Sequence, residues 1–178
     1  MSTWQKCRSR VRRAVISVYV PYTDLKRRTV EGLESTGRVP IYVDVSKSDE
    51  SYFDLLSSLW RSGETFIIVE HDVVVRETTI AELESCERSW CAFGTPYFNG
   101  VHVGLGCVKF GSELIARFPR AFDEVAKMHD IKHPAKHWCR LDSWLQDRVL
   151  PTRERHIHEP SVGHLKETPK IHPSHGCL

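Results

Sequence analysis

The most reactive residues of this 178-residue chain stand at the end of one of its most apolar segments. Thr65-Phe66-Ile67-Ile68-Val69 runs straight into Glu70-His71-Asp72. Such a strand delivers two carboxylates toward a buried place, where an uncompensated carboxylate is costly. A divalent cation supplies the missing charge. Carboxylate oxygens suit Mg²⁺ or Mn²⁺, and an imidazole favours Mn²⁺. The same three residues turned into solvent need no ion, so spacing alone leaves both readings open. Five of the ten histidines, at 156, 158, 164, 172 and 175, fall within the last 23 residues. Asp142 opens a helical pattern between Trp138 and Trp144. A carboxylate there is favoured by the helix dipole as a first-turn acid.

The six cysteines, at 7, 86, 91, 107, 139 and 177, contain no Cys-x-x-Cys pair. They read mostly as buried thiols, neither a metal framework nor, without a signal peptide, a disulfide framework.

The elements that must position these groups follow from apolar periodicity. β-Branched Ala14–Val20 reads as a buried strand ending at Pro21-Tyr22. A helix over 25–36 follows, stopped by Gly37, and then a strand over Ile41–Val45. Tyr52, Leu55, Leu56 and Leu59 share one face of a helix over 50–62, ended by Gly63. The third strand is Thr65–Val69, followed by Val73-Val74-Val75 and a short helix to Cys86. This β-α-β-α-β-α order predicts an α/β fold, a Rossmann-like, mostly parallel sheet with flanking helices. Strand-like segments at 90–94 and 101–110 come next, with an Asn99-Gly100 turn between them, then helices near 112–117, 120–128 and 138–149. After Pro151 an irregular, histidine-rich tail is expected to lie on the body of the domain. The organisation is thus a single domain over 1–150 with a tail over 151–178.

Charge is layered. Residues 1–38 hold nine basic and three acidic side chains, 39–108 hold four and eleven, and 109–178 hold twelve and nine. The acidic middle suits a cation, and the basic ends suit a polyanion. No run is long and apolar enough to span a membrane, and the polar, basic start has no hydrophobic leader. The expectation is a cytoplasmic protein without membrane partners. No Gly-x-Gly-x-x-Gly follows the first strand and no Gly-x-x-x-x-Gly-Lys-Ser/Thr occurs. A dinucleotide dehydrogenase or a P-loop NTPase is therefore poorly supported.

Taken in order, these segments resemble the GT-A glycosyltransferases, the nucleotide-diphospho-sugar transferase fold. Val18-Tyr19-Val20-Pro21-Tyr22 resembles the first strand and its nucleotide-contacting loop. Val43-Asp44-Val45 resembles the second strand, whose acidic end contacts base or ribose. Ile68-Val69-Glu70-His71-Asp72 resembles the Asp-x-Asp metal motif, with Glu in the first place. The stretch Gly104 to Phe110 resembles the glycine-containing strand on the acceptor side, and Leu141-Asp142 the acid that serves as base in inverting members. Pro160-Ser161-Val162-Gly163-His164 resembles a tail motif whose histidine completes the metal shell.

The resemblance implies a metal-dependent enzyme moving a sugar from a nucleotide diphosphate, a UDP-sugar first, to a hydroxyl. It implies donor contacts from Val20, Pro21, Tyr22, Asp44, Glu70, His71 and Asp72. Mn²⁺ or Mg²⁺ would sit on Asp72 and His164, with His158 as a second tail candidate. Asp142 is the implied base, and Gly104, Gly106 and Trp138 the acceptor side. In this view the tail closes over the site. Small stand-alone members look like phage transferases that act on hydroxymethylated DNA bases, which would place the chain in a host cytoplasm. Arg8, Arg10, Arg12, Arg13, Lys26, Arg27 and Arg28 could then meet donor or DNA phosphates. Two other readings compete. A nucleotidyltransferase shares a related core but wants a glycine- and lysine-rich first loop, which Pro21-Tyr22-Thr23 lacks. A non-catalytic nucleic-acid-binding module would use the basic ends alone.

Overall fold

The computed structural model describes residues 15–97 and 100–165. The expected Asn99-Gly100 turn, the basic residues 8–13 and the tail beyond Leu165 lie partly or wholly outside these residues.

In chain order the elements are β1 Ser17–Tyr22, α1 Arg27–Ser35, β2 Ile41–Asp44, α2 Ser51–Ser62, β3 Phe66–Val69, β4 Val73–Val74, α3 Thr79–Ser85 and β5 Trp90–Phe93. β6 Thr95–Tyr97, β7 Gly100–His102, β8 Cys107–Phe110, α4 Ser112–Arg117 and α5 Ala121–Val125 follow. A 3₁₀ turn at Trp138–Arg140 leads into α6, Leu141–Trp144, which widens into a π turn over Leu145–Val149. β9 His156–His158 and β10 Gly163–His164 close the described chain.

Six strands form the central sheet in the order β2-β1-β3-β8-β5-β9. β8 alone runs against the others, pairing antiparallel with β3 and β5. The remaining neighbours, β1 with β2, β1 with β3 and β5 with β9, are parallel. The mostly parallel α/β sheet expected from the sequence is thus present. The tail differs in detail from the irregular path expected of it. His156–His158 is an edge strand of the main sheet, and Gly163–His164 pairs antiparallel with β4.

Both faces of the sheet are covered, and the period-two alternation of strands sorts side chains between them. Phe66, Ile68, Trp90, Ala92, Val108 and Phe110 join Leu56 and Trp60 of α2 in one core. Ile67, Val69, Cys91, Phe93 and Cys107 join Leu33 of α1 and Ile80 and Leu83 of α3 in the other. A strand buried on both sides has no polar face to display, which is why β3 reads as a continuous apolar run. On α2, Tyr52, Phe53, Leu56 and Trp60 recur at helical spacing and are buried, and Gly63 ends the helix at φ 73°. The Trp60 indole N–H donates to the Phe118 carbonyl oxygen at 2.9 Å, so its polar edge is satisfied inside the core. α1 lies very close to β4: a Cβ on Gly32 would stand 2.9 Å from the Val75 carbonyl oxygen.

One consequence of β1 bears on function. Its ladder with β3 ends at Tyr19↔Ile68, while its ladder with β2 continues to Tyr22↔Asp44. Pro21 has no N–H to donate, so it tolerates the place where one neighbour is lost. The carboxyl ends of β1 and β3 therefore diverge, and open α/β sheets bind ligands beyond such ends.

Candidate functional site

Glu70 and Asp72 follow β3, and backbone bonds fix both. The Glu70 N–H donates to the Gly106 carbonyl oxygen at 2.9 Å, which ties the strand end to the segment entering β8. The Thr29 hydroxyl, buried on α1, donates to the His71 carbonyl oxygen at 2.7 Å. The turn cannot swing into solvent without breaking these bonds, so the outward-facing alternative for Glu70-His71-Asp72 loses its main attraction.

Glu70 accepts a hydrogen bond from the Tyr52 hydroxyl at 3.0 Å. Burial, then the nearby Asp142 and Asp72 charges, push its carboxyl up to about 8. The Tyr52 phenol is pushed well above its usual range, first by burial and then by Glu70. Asp142 is the third acid. Its Oδ1 accepts the Leu105 backbone N–H at 2.8 Å and the Gln146 amide at 3.4 Å. Burial raises it to about 6, against the lowering effect of those bonds and of the Arg155 and His102 charges. Gly104 is required here, because a Cβ at that position would collide with the Asp142 carboxylate. Three carboxyls, two from the turn after β3 and one from α6, with Glu70 and Asp142 both raised by burial, make a site that gains from a bound cation.

The tail supplies an imidazole to this cluster. His164 Nε2 lies 3.1 Å from Asp72 Oδ2. Its place is fixed from both sides: Val162 N–H donates to the Gly94 carbonyl oxygen at 3.0 Å, and Leu165 N–H to that of Asp72 at 2.8 Å. Val162 is itself buried in the α1–α3 core. The donor set fits a Mn²⁺- or Mg²⁺-like ion. Two adjacent ligands about 2.1 Å from an octahedral ion stand roughly 3 Å apart, close to the Asp72–His164 spacing.

Other residues singled out in the sequence fall in three groups. Val20 is wholly buried in the core, so only its backbone can face a ligand, whereas Tyr22 at the end of β1 is half-buried. Asp44 is exposed at the end of β2, and bonds from the Ser46 hydroxyl and N–H hold its carboxyl below the usual range. Trp138 is 49% exposed and its ring stacks on His137, so it presents a free aromatic face. Gly106 packs under Thr95, whose hydroxyl a Cβ there would approach to 2.7 Å.

His158 is not part of the Asp72 cluster. It sits on β9, stacks on Phe93 with ring centroids 4.9 Å apart, and neighbours Cys86 and Cys91. As the residue after next from His156, it takes the same side of its strand and so belongs to the α3 face. The reading of the cysteines needs two corrections. Cys139 is disulfide-bonded. Cys86 and Cys91, which lack a Cys-x-x-Cys spacing, are brought together by the turn between α3 and β5. Tyr52 was legible only as an apolar helix position. Its sequence signal was a phenol on the buried face of α2, which needs a polar partner.

No protein-family model matches the chain, and no curated protein matches it in sequence. Among solved structures it is similar to a glycosyltransferase involved in the glycosylation of the major capsid of PBCV-1. The TM-score is 0.52 at 12% identity, over 83% of each chain. The chain has a glycosyltransferase fold. At that identity the likeness is one of architecture: sheet, flanking helices and the place where the strands end.

Proposed function

We propose that the protein is a metal-dependent, inverting glycosyltransferase of GT-A type, using a nucleotide-diphosphate sugar, a UDP-sugar first, and a hydroxyl acceptor. The observation that carries this reading is the meeting of Asp72 and His164, 92 residues apart, at the carboxyl end of β3. Asp72 and His164 would hold Mn²⁺ or Mg²⁺, with Glu70 beside them. The ion's chemistry is Lewis-acid stabilisation of the departing diphosphate. The chain does the rest. Tyr22 and Asp44, paired at the carboxyl ends of β1 and β2, would receive the nucleoside. Asp142, raised to about 6 yet anchored by the Leu105 N–H, is largely ionised near neutral pH and basic enough to take a hydroxyl proton. The exposed Trp138 ring would stack against the acceptor.

For the acceptor we propose a hydroxymethylated base in phage DNA. Support comes from the basic excess of residues 1–38. The test is direct. The purified chain is incubated with Mn²⁺, individual UDP-sugars and an oligonucleotide containing hydroxymethylcytosine, and sugar addition is read by mass. Transfer that Asp142→Asn removes supports the reading. Donor turnover on a protein hydroxyl but not on DNA would keep the enzyme and replace the acceptor. No turnover or metal-dependent binding with any nucleotide diphosphate would sink the whole proposal.

A further inference from the structure

A second constellation lies away from the acidic cluster, on the α3 side of the sheet. Cys86 caps the end of α3, Cys91 is on β5, and His158 is on the edge strand β9. One ligand atom from each lies within 4.8 Å of the others. Register explains the meeting. In the parallel β5–β9 ladder Cys91 pairs with His156 and Phe93 with His158, so Cys91, His156 and His158 share one face. The four residues between Cys86 and Cys91 form the turn that folds the first thiol back over the second.

We propose that Cys86, Cys91 and His158 bind a zinc ion in a structural site. Three features favour it. Thiolate and imidazole are the ligands zinc selects, and a Cys-x₄-Cys pair is within the spacing such sites use. Tetrahedral bonds of about 2.3 Å to sulfur and 2.0 Å to nitrogen place ligand atoms somewhat under 4 Å apart. The three atoms therefore need only contract a little. His158 Nε2 is buried without a hydrogen-bond partner, an arrangement that native proteins seldom leave uncompensated.

The surroundings fit the chemistry. Burial, with His156 beside it, pulls His158 below its ordinary value and keeps the imidazole neutral, the form that ligates. Each thiol loses its proton to solvent as the ion enters, so two thiolates balance the dication. Lys109 is buried next to them and donates to the Cys86 carbonyl oxygen, a ready outer-shell support for the sulfurs. The fourth position faces an open cavity of about 440 Å³, lined also by Glu82 and His156. Water or His156 can fill it. The ion would pin β9 to α3 and β5, and so secure the start of the segment that carries His164.

The full chain, reduced and stripped of metal, is titrated with Co²⁺ under argon. One equivalent should produce thiolate-to-cobalt charge-transfer absorption and the intense visible bands of a tetrahedral site. Zn²⁺ should abolish both. Cys86→Ser and Cys91→Ser should each lose the charge-transfer band, and Asp72→Ala should keep it, which separates this site from the acidic one. If buried Cys91→Ser does not fold by far-UV circular dichroism, half-buried Cys86→Ser carries the test. A wild-type chain with titratable thiols but no band overturns the proposal. So does a band that survives Cys86→Ser, or loss of two thiols to a Cys86–Cys91 disulfide without metal uptake.

Discussion

Replacing Glu70 by Gln should make the protein more stable at alkaline pH and leave it little changed in acid. Glu70 titrates at about 8 in the fold, against an ordinary 4.5. Its folded value is raised, so the native state holds the proton more tightly than the unfolded chain. That contribution is fully present below about 4.5 and is lost as pH rises through about 8. At about 1.4 kcal/mol per tenfold, the ionised side chain costs on the order of 5 kcal/mol by pH 9. Glutamine keeps an oxygen to accept the Tyr52 hydroxyl but never ionises, so it avoids this cost. In a domain of this size 1 kcal/mol moves Tm by about 2–4 °C. The gap between variant and wild type should therefore open from near zero at pH 4 to roughly 10 °C or more at pH 9. Thermal unfolding followed by circular dichroism across that range reads it directly. Mn²⁺ should narrow the gap by stabilising the ionised form of the wild type. Parallel pH profiles for the two proteins would refute the idea that Glu70 is buried against Asp142 and Asp72.

Three other outcomes follow from the same geometry. Asp142→Asn should lower transfer by about 10²–10⁴-fold with donor binding retained, as expected for a lost base; in the wild type, kcat/KM should climb with pH through about 6, where Asp142 ionises. Gly104→Ala puts a methyl group into the Asp142 carboxylate and should reduce transfer at least about tenfold while the circular dichroism spectrum is kept, a loss measured by sugar addition. Trp60→Ala removes an indole that is 2% exposed together with its hydrogen bond to the Phe118 carbonyl oxygen, and should cost about 3–5 kcal/mol in urea unfolding.

The central fold was legible because its strands are buried on both faces. Phe66 to Val69 reads as an interior strand, while the sequence leaves open whether the residues after it meet a buried place or solvent. Asp142 and His164 were legible through resemblance and not through periodicity. β9 was not legible. His156-Ile157-His158 is too short for a period, its one apolar residue is 44% exposed, and its inward face is histidine. Only Cys91 and Phe93 across the ladder make that face sensible. His158 and His164 are close in sequence, yet they belong to different sheets, which the sequence of the tail does not show. The Cys86–Cys91 pair is not legible from Cys-x-x-Cys spacing, because a longer turn between α3 and β5 brings the two together.

The most direct test concerns Asp72 and His164. Binding of UDP with Mn²⁺ is measured by isothermal titration for the wild type, Asp72→Asn and His164→Ala. A shared ion predicts tight binding only with metal in the wild type, and a loss of at least about tenfold in each variant, more than about 1.4 kcal/mol. Equal binding by all three proteins, or binding indifferent to Mn²⁺, would contradict the account.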